Sequence, residues 1–354
     1  MRRLAAFIVA LIILSTTCTA AQLDSGDVVD AVPDSVKEIV GDIDDVSNTQ
    51  AFLERITSAV KDMLASNFGK ILKKAVCVLT VAVLCSVLGV FGNEKTPGFV
   101  DLCGCAAITI ICVSDVNSYI RLGSETVDEI SFFSKTLLPA LCTATATCGA
   151  ISAAAVKYAA SALFMDLFIS LAQNFILPFI YAYLAVSIAS AAFDSKSLAG
   201  VASVFKWAST SLMTVLSIVF TAYLSISSSI ASSGDAVASR VAKTAISTAL
   251  PVVGGIISDA ASSVVAGAEL IKNTMGAFGM ITVLAICISP IVVIGLNYLM
   301  FKAASAGVAA LKTDRLAKLT GNIGSAFGMM LGLVGCCGAM MFISILSCIR
   351  VVVG

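Results

Sequence analysis

Few side chains in this sequence could do chemistry, and the most notable of them interrupt apolar sequence. Asp166, Gln173 and Asn174 lie in the apolar run 162–192, and the spacing of seven places Asp166 and Gln173 on one face of a helix. A charged side chain at the centre of a bilayer costs about 2.5–3.5 kcal/mol, so Asp166 should face the interior of a bundle or water. Asp166 therefore belongs either to an ion or substrate path or to an interhelical hydrogen bond worth about 0.6 kcal/mol.

The composition excludes most catalytic and metal chemistry. The sequence has no histidine, which removes Ser-His-Asp and Cys-His triads and histidine-ligated zinc or haem. None of its 12 cysteines lies in the polar stretch 22–66, and their placement is typical of small buried hydrophobic residues in helix interfaces. No Gly-x-x-x-x-Gly-Lys-Ser/Thr loop occurs, so ATP-driven work would need a partner. We predict no catalytic residue, no cofactor and no metal site.

Membrane helices are the elements that must position the polar groups. Of the 354 residues 58% are apolar and only 12% are charged, and mean hydropathy is +1.01, which excludes an ordinary soluble domain. The 22 basic residues balance the 22 acidic ones, which excludes a basic nucleic-acid-binding protein. Seven apolar runs are long enough to span a bilayer: 71–91, 99–120, 136–156, 162–192, 207–230, 276–300 and 324–349. We predict an all-α, polytopic helical membrane protein with about seven transmembrane helices.

The N-terminal region is typical of an exported segment. Residues 1–21 resemble a signal peptide, because Arg2 and Arg3 precede a short apolar run that ends in small residues. An uncleaved first membrane helix is the alternative. An acidic helical segment, residues 22–69, would then lie outside the cytoplasm, followed by a transmembrane domain over 70–354. With seven spans, the basic loop 301–320 would also be outside, against the positive-inside tendency.

The prolines suggest an internal duplication. Pro139 and Pro178 recur as Pro251 and Pro290 with a shared offset of 112 residues. The repeat units are predicted to be residues 121–206 and 233–318. Three predicted spans separate equivalent points, so the copies would be inverted in topology, as in many transporters that build a site from broken helices. Pro139, Pro178 and Pro290 are the expected helix breakers.

Residues 244–273 differ from the other apolar runs. They are rich in small residues, are interrupted by Pro251, Gly254 and Gly255, and carry Asp259 and Lys272. We predict a broken or re-entrant segment here, because non-helical backbone at membrane depth must be sheltered by protein.

Two stretches in this region resemble a known family. Residues 250–264 (LPVVGGIISDAASSV) and 270–279 (LIKNTMGAFG) closely resemble the signature of the stage III sporulation protein AE family. The matched positions are Pro251, Gly254, Gly255, Asp259, Lys272, Asn273 and Gly276. The order of signal peptide, short exported segment and many spans agrees with the family, although this exported segment is shorter than is usual there.

The resemblance implies a role in endospore formation. The family belongs to a set of mother-cell proteins expected to form a channel or secretion-like complex around the forespore. The implied partners are other stage III membrane proteins, including ring-forming subunits and a cytosolic ATPase, together with the lipid bilayer but no nucleic acid. The implied location is the mother-cell membrane around the forespore, with the N-terminal segment outside the cytoplasm.

Two function classes remain open at this point. A non-enzymatic channel or scaffold subunit is favoured by the resemblance. A permease-like transporter of a small solute is favoured by the duplication and by Asp166. A membrane-embedded enzyme has no support, because neither a paired acid and base nor HExxH occurs.

Overall fold

The structure is a computed structural model that describes residues 25–41, 49–91, 96–249 and 254–349. Helices account for almost all of these residues, and no strand occurs among them. In chain order the helices are α1 (Ser25–Asp30), α2 (Lys37–Val40), α3 (Thr49–Phe91), α4 (Thr96–Thr147), α5 (Ile151–Leu171), a π-helical turn (Ala172–Ile176), α6 (Leu177–Phe193), α7 (Lys196–Ala249), α8 (Gly254–Ala310) and α9 (Asp314–Ile349). The predicted signal peptide and Pro251 lie outside the described residues. The all-α prediction is confirmed.

Six helices, rather than the predicted seven, are long and apolar enough to cross a membrane within the described residues. The predicted run 136–156 is not a separate span, because a turn at 148–150 divides it between α4 and α5. Gly149 supplies the turn with a φ of 93°, a conformation that glycine adopts without steric cost. The first part of that run is the end of α4, the same helix that contains the run 99–120.

The prolines do not break their helices. Pro139 lies inside α4 and Pro290 inside α8, and both helices continue past them. The carbonyl that loses its donor at Pro139 is that of Lys135, one turn earlier, and the helix nevertheless continues to Thr147. At Pro178 the backbone widens into the π-helical turn, where the Leu177 N–H donates to the Ala172 carbonyl, and α6 follows directly.

The predicted broken or re-entrant segment and the inverted repeat stay predictions. Helix α7 runs to Ala249 and α8 begins at Gly254, so the predicted segment 244–273 is helical on both sides of residues 250–253. Pro178 and Pro290 fall in the third and fifth of the six membrane-crossing helices. If all six helices cross, consecutive crossings alternate in direction and these two helices run the same way, whereas seven spans would make them inverted.

The core of the bundle surrounds α9, which packs against α4, α5, α6, α7 and α8. Two glycines of α8 let side chains of neighbouring helices pack directly on its backbone. A Cβ atom on Gly276 of α8 would overlap Ile349 of α9, and one on Gly279 would overlap Leu137 of α4. We call this contact the glycine seam; it consists of Gly276, Gly279, Leu137, Leu141, Ile345 and Ile349.

The N-terminal segment packs on the bundle through a valine stripe. Val28, Val32, Val36 and Val40 are all buried. Helix α1 contacts α4, and α2 contacts α3 and α8. These short helices cannot bury much surface alone, so the bundle supplies the apolar surface that the sequence requires.

Candidate functional site

Three polar pairs join α4 to the α5–α6 helix. Lys135 Nζ lies 3.9 Å from Asp166 Oδ1. Gln173 Nε2 donates to Asp128 Oδ1 at 2.5 Å, and Tyr181 Oη donates to Asn117 Oδ1 at 2.9 Å. We call these pairs the polar ladder; its members are Asn117, Asp128, Lys135, Asp166, Gln173 and Tyr181. The two helices are antiparallel, so ascending positions on α4 meet descending positions on α5–α6.

The ladder lies on the outside of the bundle, so Asp166 does not face the interior, which was one of the two surroundings expected for it. The Asp166 side chain is 67% exposed and that of Lys135 is 66% exposed. The other four ladder residues are also exposed. Asp166 and Gln173 do share one face, as their spacing predicts, but that face lies beside α4 at the bundle surface.

The π-helical turn positions the middle pair. Gln173 is the second residue of the turn, and Pro178, which has no N–H to donate, follows just after it. Single π-helical turns occur frequently at functional sites, where the extra residue redirects side chains. Asn174 is not a ladder residue, because its amide donates to the Ser170 carbonyl of its own helix at 2.8 Å.

The matched motif residues in the described part of the chain are spread along the first half of α8. Gly254 and Gly255 begin α8, and Asp259 follows in its first turns, where only the backbone is described. Lys272 is 1% exposed, Asn273 is exposed on the other side of the helix, and Gly276 lies in the glycine seam. Among the described matched positions, Lys272 and Gly276 pack in the core.

Sequence reasoning missed a buried lysine near the glycine seam. Lys157 of α5 is 1% exposed, and its ammonium group donates to the Ser347 carbonyl near the end of α9. Lys272 lies close enough to Lys157 for an electrostatic interaction. In the sequence Lys157 stands between apolar runs and looks like a solvated helix end, so no local signal marks its burial.

The ladder partners were also missed, although a signal for two of them exists. Asp128 and Lys135 are seven residues apart on α4, the same spacing as Asp166 and Gln173. When two helices pair through polar side chains, the paired residues must have the same spacing on both helices. In the described part of the chain, no group of three or more Cys, Asp or Glu residues could hold a metal ion.

The geometry defines the class of protein. It is a multi-pass, all-α membrane protein with a tightly packed core and polar pairs on its surface. The chain belongs to the stage III sporulation protein AE family, since the model of that family matches residues 32–352. The resemblance inferred from residues 250–279 is thereby confirmed, and membership implies a role in sporulation.

One relative extends this finding. The stage III sporulation protein AE of Bacillus subtilis (strain 168) is 22% identical over 233 residues, which cover 65% of this chain and 58% of the relative. The matched region thus spans less than two thirds of that protein. No solved structure matches the chain.

Proposed function

We propose that this protein is a non-enzymatic membrane subunit of the channel- or secretion-like complex that links the mother cell to the forespore. The polar ladder is the observation that carries this proposal. Family membership supports the setting, and the exposed charges support assembly with other chains.

Lipid is a poor environment for the ladder face. Besides Asp166 and Lys135, Arg121 and Glu125 of the same helix are 77% and 58% exposed. A charge at the bilayer centre costs about 2.5–3.5 kcal/mol, so a face with several of them must meet water or protein. A subunit that lines a path or packs on a partner through this face avoids that cost.

A count of six spans also supports an orientation with the N-terminal segment outside the cytoplasm. If the N-terminal segment is outside the cytoplasm, α3 crosses inward and the turns at 194–195 and 311–313 are both cytoplasmic. The basic loop 301–320 then follows the positive-inside tendency, which the seven-span count violated. The proposed location is the mother-cell membrane around the forespore, with ring-forming stage III proteins and a cytosolic ATPase as partners.

Photocrosslinking in sporulating cells tests this proposal. A crosslinking amino acid at Asn174 sits beside the ladder without replacing any of its members. The matched control is Val204 of α7, whose side chain is 60% exposed on an apolar surface. We expect adducts with other stage III membrane proteins at position 174 and none at 204. Adducts that are equal at both positions, or absent at 174, would contradict the proposal.

The alternative is a permease-like transporter of a small solute. It required Asp166 inside a repeat interface, whereas Asp166 is at the bundle surface. Solute flux through the purified protein alone in liposomes, abolished by Asp166→Asn, would favour the transporter over the assembly subunit.

A further inference from the structure

A cavity of about 310 Å³ lies between α6, α7 and α9, at the end of the bundle that carries the turns 194–195 and 311–313. Its volume is near the lower end of the range of about 300–1,000 Å³ for small-molecule pockets. Two helix faces build it. One comprises Lys196, Ala199, Ser203 and Lys206 of α7, and the other comprises Arg315, Lys318 and Asn322 of α9.

The charge of the lining is strongly positive. Four basic residues line the cavity, and Asp194 is the acidic one. Asp194 is already paired, because its Oδ2 lies 3.3 Å from Nη2 of Arg315. Arg315 Nε also lies 3.8 Å from Asp101 Oδ2. Among the described residues, no carboxylate forms an ion pair with Lys196, Lys206 or Lys318.

Two lysines converge at one hydroxyl beside the cavity. Lys302 Nζ donates to Ser325 Oγ at 2.9 Å, and Lys206 Nζ donates to the same oxygen at 3.5 Å. The Ser325 hydroxyl in turn donates to the Gly321 carbonyl at 3.0 Å. Two ammonium groups held this close repel each other unless an anion lies between or beside them.

The surroundings place the cavity at a membrane boundary. Trp207, the one tryptophan in the sequence, follows Lys206 and is 68% exposed. Tryptophan is enriched at the level of lipid headgroups. Basic pockets between membrane helices bind the headgroups of anionic lipids on the cytoplasmic side. Tyr183, which is 3% exposed, adds a buried hydroxyl to the lining.

We infer that this cavity binds a phosphate group with net negative charge, through Lys196, Lys206 and Lys318. The phosphate comes either from an anionic phospholipid at the membrane boundary or from a soluble phosphate. This site is separate from the polar ladder, and its existence does not depend on the proposed function.

Quenching of Trp207 fluorescence tests the inference. The full chain is reconstituted in vesicles of phosphatidylcholine that contain equal fractions of brominated phosphatidylglycerol or brominated phosphatidylcholine. Bromine quenches a nearby tryptophan, so preferential quenching by phosphatidylglycerol reports an anionic lipid at the cavity. We expect such a preference in the native chain.

Lysine variants assign that preference to the cavity. In Lys196→Gln/Lys318→Gln, which leaves the neighbour of Trp207 intact, the apparent affinity for phosphatidylglycerol should fall about tenfold or more. Lys312→Gln is the matched control, because Lys312 is at the same end of the bundle but does not line the cavity. An equal fall in both variants would mean a diffuse surface effect and would overturn the inference.

Inorganic phosphate distinguishes the two sources. If phosphate changes Trp207 emission in neutral vesicles and the double variant does not respond, the site takes a soluble phosphate. If only phosphatidylglycerol has an effect, the ligand is a lipid headgroup. Equal quenching by both brominated lipids, with no response to phosphate, would overturn the inference.

Discussion

Helix α4 contributes to both the polar ladder and the glycine seam, one of which is exposed and polar and the other buried and apolar. Asp128 and Lys135 carry the polar ladder on its exposed side, while Leu137 and Leu141, on the opposite face, lie in the glycine seam. Leu137 and Leu141 are fully buried, whereas Lys135 is 66% exposed. Opposite faces of one helix therefore form part of the core and part of the surface.

The two regions depend on different properties of their side chains. In the seam, leucine and isoleucine side chains pack directly on the glycine backbone, so volume decides what is tolerated. In the ladder, the pairs are exposed and each contributes little to stability, so their charge and hydrogen bonding are available to a partner. We expect the seam to govern the stability of the bundle and the ladder to govern its assembly.

The largest expected effect comes from filling the seam. Gly279→Leu would force a leucine side chain against Leu137 and Ile345, both fully buried, and overpacking of this kind costs about 1–3 kcal/mol or more. The thermal midpoint in detergent and the abundance in the membrane should both fall. Gly267→Leu in the same helix is the control, because nothing lies within 4 Å of a Cβ there. Equal midpoints for the two variants would remove the distinction between seam and surface.

A smaller effect is expected at the buried lysine beside the seam. Lys157→Ala removes the donor to the Ser347 carbonyl and also leaves a void, whereas Lys157→Met removes the donor but keeps most of the volume. Truncation of a long buried side chain costs about 2–5 kcal/mol, and replacement of a buried charge by an apolar group of similar size is often close to neutral. The alanine variant should therefore melt well below the methionine variant. The reverse order would show that side-chain volume does not stabilise the bundle at this position, because both variants lack the donor.

The membrane class and most helices could be predicted because hydropathy is a local property. The count of spans could not, since the turn at Gly149 lies inside an apolar run and changes backbone direction without changing hydropathy. The prediction that the prolines break their helices was wrong for a related reason. Pro139 and Pro290 each cost their helix one backbone hydrogen bond, but both helices continue within the packed bundle.

The candidate site was predictable in part. The spacing of seven gave the shared face of Asp166 and Gln173, but it contains no information about which side of the bundle that face takes. The position of that face in the bundle depends on how α4 packs against α5–α6, and this packing joins residues that are far apart in the sequence. The basic cavity was missed because Lys196 and Lys318 are far apart in the sequence and meet only where α7 and α9 pack.

The smallest expected effect on stability is at the ladder, with Asp166→Asn. Asparagine keeps the size of the side chain and can still donate and accept hydrogen bonds, and it avoids the cost of a charge near lipid. An exposed ion pair with atoms 3.9 Å apart contributes about 0–1 kcal/mol, so the thermal midpoint should change little. We also expect normal spore counts, because a hydrogen-bonding surface suffices for contact with a partner. Asp166→Leu removes both the charge and the hydrogen bonding, so it should impair sporulation at equal membrane abundance. The informative quantity is the ratio of spore counts between the asparagine and leucine variants. If the asparagine variant reaches normal abundance but fails to sporulate, the charge itself is needed, and the ladder lines an ion or solute path instead of a protein contact.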